Sequence, residues 1–91
     1  NDAELFYYRA LLMFKGKSHK PALESCDMAL EFNPKYIPAY VLKGEIRFSM
    51  RDYNYAIREL NTAISLMTDL NTDYTAYKLR AKSKFEAADY K

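Results

Sequence analysis

Apolar residues recur at every third or fourth position along most of this chain, the spacing that places side chains on one face of an α-helix. The series Ala56, Leu60, Ala63, Ile64 and Met67 shows this pattern. No segment alternates apolar and polar residues as a half-buried β-strand does. The pattern therefore predicts an all-α protein with five helices, at about residues 2–15, 19–32, 36–49 and 53–67, and from 71–73 to about 87.

Helix-ending and capping residues separate the predicted helices. Gly16 is a good helix terminator, and Ser18 is suited to cap the helix that follows it. Asn33 and Pro34 end the second helix, because proline cannot continue the hydrogen-bond ladder. Asp52 is suited to cap the fourth helix. The chain therefore reads as helices joined by short turns.

The sequence repeats itself with a period of about 34 residues. An aromatic residue, a small residue four positions later and a phenylalanine four positions after that occur three times. The three copies are Phe6-Ala10-Phe14, Tyr40-Gly44-Phe48 and Tyr77-Ala81-Phe85. A second motif, Ala22-Cys26-Ala29, recurs as Ala56-Leu60-Ala63. A period of this length indicates one small helical unit stacked several times.

These motifs resemble the tetratricopeptide repeat, in which an aromatic and a small residue precede an alanine-containing second helix and a closing proline. The resemblance covers nearly the whole chain, as two full repeats at about 3–36 and 37–70 and the first helix of a third at about 72–91. It implies a single domain over residues 1–91, folded as a right-handed superhelical solenoid of antiparallel helix pairs. Ala10, Gly44 and Ala81 would let paired helices approach closely.

The chain departs from the repeat pattern at several positions. The repeat position that usually holds leucine is occupied by a basic residue in all three copies. We expect the aliphatic part of each of these side chains to be buried and the charged group to stay in water. The three residues are Arg9, Lys43 and Arg80. Thr68 stands where the second closing proline would be, and extra residues follow it, so a longer turn is expected from there to Asp73.

Composition narrows the class of protein further. With 91 residues, 49% hydrophobic and 29% charged, the chain suits one small globular domain. A net charge of +2 does not by itself indicate nucleic acid or a membrane as partner. No apolar run is long enough to span a membrane. The chain opens Asn1-Asp2 without methionine, so we expect a fragment of a longer protein; the compartment stays open, with the cytoplasm slightly favoured.

Catalysis is not expected, because the reactive groups are few. His19 lies in a predicted turn, whereas the single cysteine, Cys26, occupies a core slot that Leu60 fills in the next repeat. A cysteine nucleophile needs a neighbouring base and access to substrate. One histidine and one cysteine cannot complete a zinc shell, and neither glycine belongs to a phosphate-binding loop. We therefore expect a protein that is not an enzyme and holds no cofactor or metal.

Nucleic-acid binding is a minor alternative. The chain has nine tyrosines, and the fifth helix carries the basic residues Lys78, Arg80, Lys82 and Lys84, a combination that could stack and neutralise RNA. Most of the tyrosines occupy packing slots of the repeat, however. Lys78 and Lys82 share one helical face while Arg80 and Lys84 share another, so the four do not form one patch.

The resemblance implies a protein-interaction module in which the first helix of each repeat lines a concave groove. Carried over by alignment, the groove-facing pairs are Tyr7 and Leu11, Val41 and Glu45, and Lys78 and Lys82. Each pair is spaced i, i+4 and so shares a helical face. The lining changes from apolar to basic, which favours a partner peptide with an aliphatic or aromatic anchor and an acidic group. The alternative is that Glu45 simply pairs with one of the lysines.

Two further possibilities follow from the resemblance. Some family members clamp the carboxyl terminus of chaperones with a lysine and an asparagine on the first groove helix, an asparagine on the second and two basic residues on the third. Lys78 and Lys82 supply the basic pair here, but Tyr7, Leu11 and Leu42 stand at the other positions, so at most half of the clamp is present. Chaperone-tail capture is therefore not expected. The chain could instead be a structural segment of a longer solenoid that mediates self-association, since the end helices of such an array expose faces meant for neighbours.

Overall fold

The computed structural model describes residues 1–68 and 74–89 and has five α-helices in that part of the chain. They are α1 (Asp2–Lys15), α2 (His19–Phe32), α3 (Ile37–Ser49), α4 (Tyr53–Leu66) and α5 (Tyr74–Asp89). The predicted all-α architecture is confirmed, with boundaries close to those expected. The predicted start of the fifth helix between 71 and 73, and the expected long turn beyond Thr68, lie outside the described residues.

The helices pack as successive antiparallel pairs. Helix α1 packs on α2 and α3 on α4, while α2 contacts α3 and α4 contacts α5 to join the pairs. The first helices of the pairs also touch one another, α1 with α3 and α3 with α5. The molecule measures 41 × 33 × 17 Å, and its short dimension matches two layers of helices. One layer therefore consists of α1, α3 and α5, and the other of α2 and α4.

Side-chain sizes are matched across each helix pair. In the second pair, a Cβ added to Gly44 would lie 2.7 Å from both Cγ and Cδ2 of Leu60, so the absence of a side chain makes room for the leucine. In the first pair the corresponding residues are Ala10 and Cys26, both fully buried. The first pair thus has the larger residue on its first helix, Ala10 instead of Gly44, and the smaller residue on its second helix, Cys26 instead of Leu60, so the total volume is roughly conserved between the pairs.

The turns within the pairs use left-handed residues that are not glycine. Lys17 has φ 64° and Arg51 has φ 62°, whereas Gly16 has φ −82°. The amide of Ser18 donates to the carbonyl of Met13 at 2.9 Å, and the same bond recurs 34 positions later between Asp52 and Arg47, also at 2.9 Å. This is the Schellman arrangement. Helix α1 does end just before Gly16, but the left-handed residue is its neighbour.

The sequence predicts that Ser18 and Asp52 cap α2 and α4, and only their positions at the starts of these helices are confirmed. Both occupy the N-cap position, yet neither side chain makes a capping hydrogen bond. The Asp52 carboxylate instead lies 3.6 Å from the Arg47 guanidinium on α3. The carboxylate therefore ties the turn to the preceding helix. Asn1, in contrast, does cap α1, because its Oδ1 accepts a hydrogen bond from the amide of Glu4 at 3.1 Å.

Lys43 differs from the expectation that the basic slot keeps its charge in water. Its Nζ lies 2.8 Å from an oxygen of Asp27 and 3.1 Å from one of Glu59, and its side chain is only 14% exposed. Desolvation by burial lowers the pKa of Lys43, but the hydrogen bonds and charges of Asp27 and Glu59 outweigh it, and the net pKa is raised. The lysine thus links α2, α3 and α4, because its charge is paired rather than hydrated.

Candidate functional site

Two adjoining cavities lie along the layer formed by α1, α3 and α5. The first has a volume of about 310 Å³ and is lined by Tyr7, Leu11 and Val41 among others. The second has a volume of about 380 Å³, and its lining includes Phe48. Glu45 lines both cavities, so they meet beside α3. We call the two cavities together the groove.

The first cavity is mainly apolar and has an ordered aromatic wall. Val41 and Leu42 are buried beneath it, with exposed fractions of 6% and 3%. Tyr7 is half-buried, and its ring packs edge-on against Tyr8 at 5.3 Å and against Tyr36 at 5.9 Å between ring centroids. Aromatic pairs in this geometry hold each other in place. This part of the groove can therefore accept an aliphatic or aromatic side chain with little rearrangement.

The second cavity combines an aromatic base with a basic edge. Phe14 and Phe48 line it, and the Phe48 ring packs edge-on against Tyr53 at 5.2 Å. The Nζ of Lys82 lies 5.4 Å from the centroid of the Phe48 ring, a cation–π contact. Lys78 lines the same cavity and is exposed. An acidic group entering here would meet two ammonium groups beside an apolar surface, where charges interact more strongly than in open water.

The structure brings together all six residues that the sequence analysis assigned to the groove. Tyr7, Leu11 and Val41 line the first cavity, Lys78 and Lys82 the second, and Glu45 both. Glu45 lines the same cavity as both lysines. This arrangement is compatible with peptide binding by the lysines and also with the alternative that Glu45 pairs with one of them.

Several lining residues were missed by the sequence analysis, which stopped at one pair for each helix. Pro38, Phe48 and Thr75 lie three residues from a predicted groove residue and so share its helical face. Extending the i, i+3, i+4 series would have found them. Phe14 lies three residues from Leu11 and would have been found in the same way, although its repeat slot, like that of Phe48, is also that of an aromatic residue packing within a helix pair. It does pack against His19 at 5.9 Å between ring centroids, and it lines the second cavity as well.

The candidate nucleophile lies in the core and not in the groove. Cys26 is fully buried, and burial raises the pKa of its thiol to about 12, with the nearby Lys43 charge opposing and the Asp27 and Glu59 charges adding to the shift. A thiol with this pKa is not ionised near neutral pH and cannot act as an activated nucleophile. Within residues 1–68 and 74–89, no group of three or more His, Cys, Asp or Glu side chains could hold a metal ion. Among the helices of that part of the chain, none has the length and apolar character to cross a membrane.

Burial of Cys26 predicts a specific loss of stability in alkali. The thiol in the unfolded chain ionises above pH 9.0, whereas the folded protein keeps it protonated up to about pH 12. The unfolded state is therefore favoured increasingly between these values, and we expect Cys26 to account for about 1 kcal/mol of the stability lost between pH 8 and pH 10. Urea unfolding of the wild type and of Cys26→Ala under reducing conditions measures this contribution. The advantage of the wild type over the variant should shrink by that amount at pH 10, while an unchanged difference would contradict the prediction.

Comparison with known proteins bears on the fold. No family model matches the sequence, and no curated protein matches it. Among solved structures, the chain is similar to the one described as "TPR2B-domain:pHsp70-complex of yeast Sti1", with a TM-score of 0.81 and 23% sequence identity. The match covers 99% of this chain and 71% of that one.

The chain has a tetratricopeptide-repeat fold. The predicted helical-repeat solenoid is thereby confirmed. In this fold α1, α3 and α5 form one layer, and α2 and α4 form the other. The groove lies along the layer of α1, α3 and α5.

Proposed function

We propose that this protein is an interaction module that binds a peptide segment of a partner protein in the groove. The observation that carries the proposal is the pair of adjoining cavities, which joins residues of all three first helices into one surface. Binding sites in proteins are typically concave, mostly apolar and furnished with a few convergent polar groups. The groove fits this description, because Tyr7, Leu11 and Val41 supply apolar surface and the two lysines supply charge.

The chemistry of the lining favours one class of peptide. An aliphatic or aromatic side chain fits the first cavity, where it would be covered by Tyr7, Leu11 and Val41. An aspartate or glutamate fits the second cavity beside Lys78 and Lys82. The preferred ligand is therefore a segment with a hydrophobic anchor followed or preceded by acidic residues. Its length should be several residues, because it has to reach from α1 to α5.

The similar solved structure is a complex with pHsp70, which supports a protein or peptide partner in general. The apolar half of the groove argues for a different sequence preference in the present protein. Tyr7, Leu11 and Leu42 stand where a carboxylate clamp would need lysine and asparagine, and these side chains offer apolar surface to the first cavity. We therefore expect the first cavity to recognise a hydrophobic side chain of the peptide, at the place where a carboxylate clamp would recognise a charged group.

Peptide binding accounts for the basic residues of α5 better than RNA binding does. Lys78 and Lys82 border an apolar cavity, where a side chain could be buried beside them. The Arg80 guanidinium donates to Oδ1 of Asn61 at 2.9 Å and lies 5.4 Å from the centroid of the Tyr77 ring. This arginine is thus engaged within the protein. RNA binding would need the basic side chains to form one exposed track.

Reversing the charge of the basic edge provides the main test. Random peptides displayed on phage are selected on the wild-type protein, and an enriched peptide is synthesised and titrated by fluorescence anisotropy. We expect acidic peptides with a hydrophobic anchor to be enriched. For such a peptide, Lys78→Glu with Lys82→Glu should weaken binding at least about tenfold, since truncating or reversing groups that contact an opposite charge typically costs 1–3 kcal/mol. Higher salt should weaken wild-type binding in the same direction.

Lys20→Glu with Lys84→Glu is the matched control. It makes the same change in net charge at two exposed lysines that do not line the groove. We expect this control to change the dissociation constant less than about twofold, and circular dichroism should show both double variants folded. A selected peptide that binds all three proteins equally, at low and at high salt, would rule out the proposed role of Lys78 and Lys82. Enrichment of basic peptides would rule out the proposed ligand class.

A further inference from the structure

One position of the repeat has a different chemical character on each of the three helices that line the groove. This position lies five residues after the aromatic residue that begins each copy of the first motif, and it holds Leu11 on α1, Glu45 on α3 and Lys82 on α5. All three side chains line the groove. Helix α3 contacts both α1 and α5, so it lies between them. A segment that crosses the groove therefore meets an apolar, then an acidic and then a basic side chain.

Glu45 gives the two cavities net charges of opposite sign. The other described residues that line the first cavity are uncharged, so this cavity is net negative. In the second cavity Lys78 and Lys82 outnumber Glu45, so this cavity is net positive. An acidic group of a ligand is therefore attracted to the second cavity and repelled from the first. A basic group next to the hydrophobic anchor is attracted by Glu45.

The Glu45 carboxylate is suited to receive a basic group from a ligand. The residue is half-buried and lies one helical turn from the buried Val41 and from Phe48. Glu45 interacts within the protein, but a carboxylate has about four acceptor sites, so an existing partner leaves capacity for another. An apolar side chain placed over this carboxylate would displace water without replacing its hydrogen bonds, which weakens binding. A lysine or arginine side chain would replace them.

We infer that Glu45 selects, in the proposed peptide ligand, a lysine or arginine between the hydrophobic anchor and the acidic residue. The inference rests on the proposed function, because it concerns the same groove and the same ligand. Packed helices are about 8–10 Å apart and an extended segment advances about 3.3 Å per residue, so about three residues separate the groups that meet successive helices. The groove thus distinguishes peptides of identical composition by the order of anchor, base and acid.

Exchanging two residues of one peptide tests this order. The probe is a peptide enriched on the wild-type protein whose binding is weakened by Lys78→Glu with Lys82→Glu. We expect its sequence to contain a lysine or arginine between the anchor and the acidic residue. A second peptide, in which this base and the acid are exchanged, has the same composition and net charge. Fluorescence anisotropy should show it binding the wild type at least about tenfold more weakly, because each charge then meets a like charge.

Variants at position 45 assign the preference to Glu45. The base of the probe is replaced with glutamate, and both peptides are titrated against the wild type, Glu45→Gln and Glu45→Lys. The preference for the base should be at least about tenfold with the wild type, less than about threefold with Glu45→Gln, and reversed with Glu45→Lys. A loss of stability weakens both peptides alike and does not reverse a preference. Circular dichroism shows whether each variant is folded, and Glu45→Gln still decides the question if Glu45→Lys is not.

Glu24→Lys is the matched control. It makes the same change in charge as Glu45→Lys at an exposed residue of α2 that does not line the groove. This variant should keep the wild-type preference for the base.

Three results would overturn the inference. They are enriched peptides without a base between anchor and acid, an exchanged peptide that binds as tightly as the original, and one preference shared by the wild type, Glu45→Gln and Glu45→Lys. In each case the effect of Lys78→Glu with Lys82→Glu would still support the groove as the peptide site. Failure of the proposed function gives a different result, in which no selected peptide responds to that reversal of the lysines.

Discussion

A chain that ends at residue 70, and so lacks α5, should lose cooperative folding. Helix α5 covers the apolar face of α4, where Ala76 and Leu79 pack against a cluster that includes Leu60, Ala63 and Val41. In a repeat array each helix pair is stabilised mainly by contacts with its neighbours. Removing this cover should lower the free energy of unfolding by about 3–5 kcal/mol, which is comparable to the whole stability of many small domains.

Urea titration followed by circular dichroism measures this loss, and binding of an apolar dye reports the uncovered surface. A chain that ends at residue 87 is the matched control, because it retains the buried residues Ala76 and Ser83 and the half-buried Leu79 of α5. It should unfold cooperatively with nearly wild-type stability. A soluble, monomeric chain of residues 1–70 with a sharp transition would contradict the role assigned to α5.

Adding a methyl group at position 44 should destabilise the protein even though alanine favours helices over glycine. The new Cβ would lie 2.7 Å from two atoms of the fully buried Leu60, so either the leucine or the α3–α4 spacing would have to change. Overpacking of this kind typically costs about 1–3 kcal/mol, and the gain in helix propensity offsets up to about 1 kcal/mol. We therefore expect Gly44→Ala to lower the free energy of unfolding by about 1–2 kcal/mol.

A compensating change at Leu60 makes the test specific. Leu60→Cys alone should destabilise by about 2 kcal/mol or more, because it leaves a cavity in the core. Gly44→Ala with Leu60→Cys recreates the pair formed by Ala10 and Cys26 in the first repeat, so the double variant should be more stable than the sum of the single effects predicts, by about 1–2 kcal/mol. Additive effects would contradict the size-matching explanation.

The other glycine supplies the control. A Cβ at Gly16 would come no closer than 3.5 Å to its neighbours, which is ordinary van der Waals contact. Gly16 also has a negative φ of −82°, which alanine adopts easily. Gly16→Ala should therefore change the free energy of unfolding by less than about 0.5 kcal/mol. A large effect there would show that the loss at Gly44 reflects something other than the contact with Leu60.

The candidate site was predictable to the extent that it depends on helical periodicity. Residues spaced i, i+4 on the first helices face the same way in every repeat, so the spacing alone groups Tyr7 with Leu11, and Lys78 with Lys82. The depth of the groove was not predictable in this way. Whether Phe14 and Phe48 only pack within their helix pairs or also line a cavity depends on the space left between three helices.

The order of amino acids is enough to specify the helices and the pairing of each helix with its neighbours. These features follow from local geometry, because 3.6 residues per turn and a 34-residue repeat relate positions within one helix and between equivalent helices. The packing of the helices, in contrast, determines that Lys43 is held between Asp27 and Glu59, and that Gly44 makes room for Leu60. Those outcomes depend on side-chain volumes and charges contributed by separate helices, and their separations are set only when the helices pack.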